Sequence, residues 1–207
     1  MKLSKVFLIS LLVLFLSVFM ANAQTIVGSP HDFSGETWNP TGEICVVCHT
    51  PHHADITVTD APLWNHEVTS ATFTPYTSST LDATVGQPDG VSKLCLSCHD
   101  GTVALDNFGG KTSGTTYITG DENLGTDMRD DHPVSFVYDA ALASADGELY
   151  DPTTAQSGLG GTIDEDMLVN HKLECSSCHD VHNGSGVAKL LVKSNANSDL
   201  CLTCHAK

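Results

Sequence analysis

Basic residues are scarce in this chain: lysine and arginine number nine against 25 aspartates and glutamates in 207 residues, a formal net charge of −16. A surface so acidic repels phosphate backbones and anionic headgroups, which argues against nucleic acid and anionic lipid as partners. Aromatic residues make up only 6%. Bulky apolar side chains are few as well. From Gln24 onward, Leu, Ile, Val and Phe fill 38 of 184 positions, about 21%, close to the roughly 20% below which a strongly charged chain stays unfolded. Either part of the polypeptide is unfolded, or something non-protein supplies the missing apolar mass.

Long hydrophobic runs are lacking too, with one exception between Val6 and Met20. A Lys2/Lys5 head, that run and an Ala21-Asn22-Ala23 ending read together as a secretory signal peptide over residues 1–23, cleaved before Gln24. A retained membrane anchor is the competing reading, since the run is only slightly shorter than a minimal span, but the A-x-A ending favours cleavage. No cysteine near the cleavage site offers an acceptor for lipoprotein-type anchoring. Residues 24–207 are then one exported domain without a stable membrane span, and with seven basic residues against 25 acidic ones its net charge is near −18.

What the chain does have is cysteine in a repeated pattern. All eight fall into C-x-x-C pairs, Cys45/Cys48, Cys95/Cys98, Cys175/Cys178 and Cys201/Cys204, and histidine follows each pair at once: His49, His99, His179 and His205. At the chain's own histidine frequency, four such coincidences have a chance probability on the order of one in 100,000. A disulfide scaffold suits an exported chain, but such short pairs do not staple distant loops. Zinc ribbons use paired C-x-x-C yet give histidine no reason to follow every pair. Covalent c-type haem accounts for every element, since two thiols bond the haem vinyl groups and the next residue presents its imidazole to the iron.

"SPHDFS", "CVVCHTPHHA", "PLWNH", "CLSCHDGTVA", "DHPVSF" and "CSSCHDVH" through "NSDLCLTCH" resemble the pattern of bacterial exported tetrahaem cytochromes with a doubled C-x-x-C-H segment at the C-terminus. Among these the chain is similar to the outer-surface cytochrome E type, which polymerises into extracellular nanowires. The resemblance implies four covalent haems c, a place at the cell surface or in the extracellular space with the periplasm as alternative, and a homopolymer that passes electrons to other cytochromes or to external acceptors.

Successive first cysteines are separated by 50, 80 and 26 residues, so the last two motifs are close neighbours. The longer gaps are rich in Thr, Ser, Asp and Gly and lack sustained periodicity. The expected fold is therefore mostly irregular and loop-rich, with short α-helices at the haem sites and little β, organised around four haems as in multihaem cytochromes c. Each motif should form a single helical turn, with Ser92 and Ser198 as caps, Gly101 as a terminator and a short strand in "HPVSFVYD". A chain of this length has a radius of gyration of roughly 16 Å, so four haems cannot lie far apart.

Seven histidines lie outside the motifs: His31, His52, His53, His66, His132, His171 and His182. With imidazole so abundant, bis-histidine ligation is expected throughout, and Met128 and Met167 are the other possible axial donors. His52 follows His49 by three residues, on the same face of a continuing turn, so it cannot reach the far side of the haem that His49 ligates. His182 stands in the same relation to His179. His31 and His132 match histidine-bearing segments of the resembled family, and Pro30 and Pro133 stiffen their loops. The distal set is thus His31, His52, His132 and His182, with His66, then His53 and His171, in reserve. The resemblance further implies that a subunit donates a histidine just after its first motif, His52 or failing that His53, to a haem of its neighbour, here the one held by Cys201, Cys204 and His205.

No catalytic residue is expected. A reductase needs an iron with an open position, often marked by a departure from the motif histidine, and none of the four motifs departs. A soluble periplasmic carrier remains the main alternative to a filament subunit. "NGS" at Asn183 is a weak glycosylation match, the acidic runs "DMRDD" and "TIDEDM" lack the spacing of a calcium loop, and Trp38 and Trp64 read as packing residues.

Overall fold

The computed structural model describes residues 26–207; the leader read over residues 1–23 lies outside them. Aspartate and asparagine side chains hold the irregular segments together. Asp32, Asp55, Asp100, Asp151 and Asp180 each accept a hydrogen bond from the backbone N–H two residues on, a turn these short side chains close locally. Asp106 does so at longer range, accepting from the N–H groups of Thr115 and Thr116 at 3.0 Å each. Much of the acidic excess is therefore architectural.

Among the described residues four short helices punctuate the loops: α1 (Gly90–His99), α2 (Ala140–Asp146), α3 (Ile163–Met167) and the single turn α4 (Cys201–Cys204). One two-stranded antiparallel ribbon pairs β1 (Phe136–Val137) with β2 (Lys172–Leu173), in the register Phe136 to Leu173. The strand expected in "HPVSFVYD" is β1. The acidic run "TIDEDM" is the start of α3, where Thr162 and Glu165 form a reciprocal capping box that satisfies two otherwise orphaned donors. Among the described residues no helix is long and apolar enough to cross a membrane.

The expected caps are elsewhere. Ser92 lies inside α1, whose N-cap is Asp89, and Ser198 has φ +65° in a turn that does not cap α4. The N–H of Leu200 is met instead by the side chain of Asn195, at 3.2 Å. Gly101 does terminate α1: it takes φ +70° and returns its N–H to Cys98, the left-handed position that favours glycine.

Two small apolar clusters do the packing. The larger joins Phe136, Tyr138, Ala143, Ile163, Met167, Leu173 and Leu200, with Cys178 and Cys204 against it; the smaller joins Phe73, Leu96 and Met128. Burying a side chain such as Ile163 or Leu96 contributes about 1.5–3 kcal/mol, so clusters this small supply only a modest core. Both sit against cysteine motifs. Met128 and Met167, the possible sulfur ligands, are spent on this packing.

Candidate functional site

Each C-x-x-C-H segment is wound as a helical turn. Motifs one and three are 3-10 turns (Cys45–Val47 and Cys175–Ser177), motif two is the last turn of α1, and motif four is α4. The N–H of His49, His179 and His205 returns to the carbonyl of the motif's first cysteine at 2.8, 3.1 and 3.0 Å. Spacing of three along a turn puts both sulfurs on one side, with the imidazole next in line. None of the eight cysteines is paired in a disulfide. Burial pushes Cys48, Cys98 and Cys204 up to about 11, 12 and 11. Among the described residues no three His, Cys, Asp or Glu side chains converge to hold an ion.

Three motif imidazoles are anchored from behind. Nδ1 of His49 lies 2.6 Å from the Pro62 carbonyl, that of His99 2.8 Å from Glu122, and that of His179 3.0 Å from Lys189. A carbonyl only accepts, so Nδ1 carries the proton and Nε2 keeps its lone pair free, the tautomer a metal-binding histidine needs. These carbonyl partners were illegible in the sequence, because any residue supplies one. His132 and His66 show the same signature, each donating to the next residue's carbonyl at 2.9 Å.

Three of the non-motif histidines face motif histidines. Ring centroids are 6.1 Å apart for His31 and His99, 6.3 Å for His49 and His182, and 6.4 Å for His132 and His205. Two imidazoles bound head-on to opposite sides of one metal, at the roughly 2.0 Å usual for metal–imidazole bonds, have centroids about 6 Å apart. The spacing fits a shared iron in all three pairs. His31 adds a second sign: its Nδ1 is buried without a hydrogen-bond partner, and burial first, then the facing His99, His179 and His182, push its pKa down to about 4. It is a neutral ring held in a cluster of imidazoles.

The remaining histidines have no motif ring beside them among the described residues. His52 and His53 are exposed, as His132 and His182 also are, and His53 has φ +61°. His171 is exposed and hydrogen-bonded to Asp164 at 2.8 Å, occupied by a carboxylate. His66 is buried, 3% exposed, with Nε2 3.6 Å from the Cys98 sulfur. Among the described residues His179 is the one motif histidine with no facing ring. His205, the ring expected to meet a neighbour's histidine, has His132 at 6.4 Å within the same chain.

The motifs also touch in chain order. Asn65 is held by the Cys48 and Val46 carbonyls of motif one, and the adjacent His66 rests on Cys98 of motif two. Motif two meets motif three where the N–H of Cys175 donates to Ser92 Oγ at 2.9 Å. Lys193, just beyond motif three, bonds Thr203 inside motif four at 3.0 Å.

The family described as the doubled CXXCH motif matches residues 168–207, which span motifs three and four. That motif marks a multihaem c-type cytochrome, whose chemistry is haem-bound electron transfer. No match was found among curated proteins.

Proposed function

We propose that the chain is an electron conduit holding four covalent haems c with paired imidazole ligands, and that it acts outside the cell as the subunit of a cytochrome filament of the outer-surface cytochrome E type. The observation that carries the four-haem conduit is the set of three imidazole pairs at 6.1, 6.3 and 6.4 Å, each joining one motif histidine to one histidine from elsewhere in the chain. When bound, haem supplies an iron that changes oxidation state, with a potential set by its axial ligands and surroundings.

The chain's residues supply placement. The four cysteine pairs would anchor the groups, with His49, His99, His179 and His205 as their motif ligands and His182, His31 and His132 as second ligands for the first, second and fourth. Backbone carbonyls hold three of the four motif rings, those of His49, His99 and His179, which would limit reorganisation when the charge changes. Substrate chemistry is not part of this reading, because two imidazoles per haem would leave no open position. The acidic surface favours partners with positive patches.

His179 takes its second ligand from His52 or His53 of the next subunit. Both rings are exposed and sit on a loop after motif one, where a neighbouring molecule can reach them. The purified exported protein should carry four haems by intact mass and form filaments by electron microscopy. Replacing His52 and His53 together with alanine should abolish filaments and leave four haems attached. Filaments that persist with unchanged spectra overturn the subunit reading and leave a soluble carrier; strong carbon monoxide binding to the reduced parent protein overturns the conduit in favour of a reductase.

A further inference from the structure

Between motifs two and three lies a buried carboxylate that haem attachment does not call for. Glu174, immediately before Cys175, is only 2% exposed, and Ser92, three residues before Cys95, is fully buried. The Glu174 carboxylate accepts from the Ser92 N–H at 3.2 Å, from the Ser92 hydroxyl, and from Ser135 Oγ at 2.9 Å. The Ser92 hydroxyl in turn accepts the N–H of Cys175. Three donors from two chain segments thus close on one carboxylate, and a fourth group, the Cys175 N–H, joins through Ser92.

On one side the seam borders a cavity lined by Asp60, Asp89, Gly90, Lys172 and Glu174. Lys172 pairs with Asp89 at 2.5 Å beside it. At Gly90, with φ +49°, a Cβ would stand 3.1 Å from Glu174 Oε1, a tight contact in a conformation that favours glycine. A buried carboxylate is a poor choice for stability alone, because well-packed apolar residues usually do as well or better. What a fully satisfied polar network does give is a single geometry.

We propose that Glu174, working with Ser92, is the positioning residue that fixes the second haem-attachment motif against the third and so sets electron passage across the middle of the conduit. The inference rests on the four-haem reading. Glu174 touches neither group directly; it acts through Ser92 and the Cys175 backbone, and a displacement of about 1 Å at such a joint is enough to weaken a distance-dependent step.

The test uses the holoprotein with Glu174→Ala, Glu174→Gln and Ser92→Ala, read by haem count, by magnetic coupling between ferric haems in electron paramagnetic resonance, and by melting temperature. The haem of His99 is identified in those spectra through His31→Ala. Glu174→Ala and Ser92→Ala should each keep four haems and lose the coupling between the second and third, whereas Glu174→Gln, which retains an acceptor oxygen, should keep it. Coupling unchanged in both Glu174→Ala and Ser92→Ala, with only the melting temperature lowered, overturns the proposal. Fewer than four haems in the parent protein overturns the underlying reading instead.

Discussion

His31 and His99 face each other with ring centroids 6.1 Å apart, although 68 positions separate them in the chain. The Nδ1 of His31 is buried with no partner, and its ring is flanked by Phe33 at 5.7 Å and His99 at 6.1 Å. Replacing His31 with alanine should therefore free one iron: about one quarter of the haem should turn high-spin and bind carbon monoxide when reduced, with the other three unchanged. Absorption spectra of the reduced protein check this directly.

The same ring sets an acid limit. Its pKa is depressed to about 4, so the folded state favours the neutral form, and that advantage is lost as pH falls from the ordinary value of 6.5 toward 4. The low-spin signal removed by His31→Ala should persist in the parent protein to about pH 4 or lower, since proton and metal compete for the same nitrogen. A titration that loses that signal near pH 6 would contradict the placement.

The pairs differ in ring orientation: 18° between the planes of His49 and His182, against 85° for His31 and His99 and 72° for His132 and His205. Parallel ligand planes split the iron d orbitals strongly and near-perpendicular planes do not. Electron paramagnetic resonance should resolve one rhombic low-spin signal, lost in His182→Ala, and two strongly anisotropic ones, lost separately in His31→Ala and His132→Ala.

Glu174 runs the other way in pH. Burial, outweighing its serine hydrogen bonds, raises its pKa, so the folded state holds the proton more tightly and stability falls as pH rises from about 4.5 through the folded value. Glu174→Gln should remove that decline. Melting curves of parent and variant from pH 4 to 7 should diverge most at the upper end, with the variant gaining relative to the parent.

Two packing changes should be costly for different reasons. Trp64 is 8% exposed and meets the His49 ring edge-on at 6.1 Å, so Trp64→Ala should cost about 3–5 kcal/mol as a cavity and shift the potential of the haem at His49. Gly101 has φ +70°, and a Cβ there would meet the Asn123 amide at 2.7 Å. Gly101→Ala should cost about 1–3 kcal/mol through backbone strain, and it should disturb the Glu122 carbonyl that anchors His99. Denaturant unfolding of the holoproteins measures both.

The sequence by itself determined the chemistry. Four cysteine pairs each followed by histidine are local signals, because attachment needs neighbouring residues on one turn, and the thin apolar content already pointed to a fold built around something other than side chains. The loop-rich architecture, β1 and the stop at Gly101 were legible for the same reason: each follows from a short stretch of chain. The caps were not. Ser92 fits the pattern of a helix start, and only the packing of α1 against motif three turned it inward onto Glu174.

What tertiary structure decided is which ring faces which. The sequence leads one to expect His182 to serve a haem other than that of His179, but nothing local says that its ring lies 6.3 Å from that of His49, 133 positions earlier. Carbonyl anchors, the seclusion of His66 and the exposed state of His52 are equally non-local. Axial pairing depends on how loops of 50 and 80 residues close, and closure is set by contacts such as Glu174 with Ser92 that no spacing rule encodes.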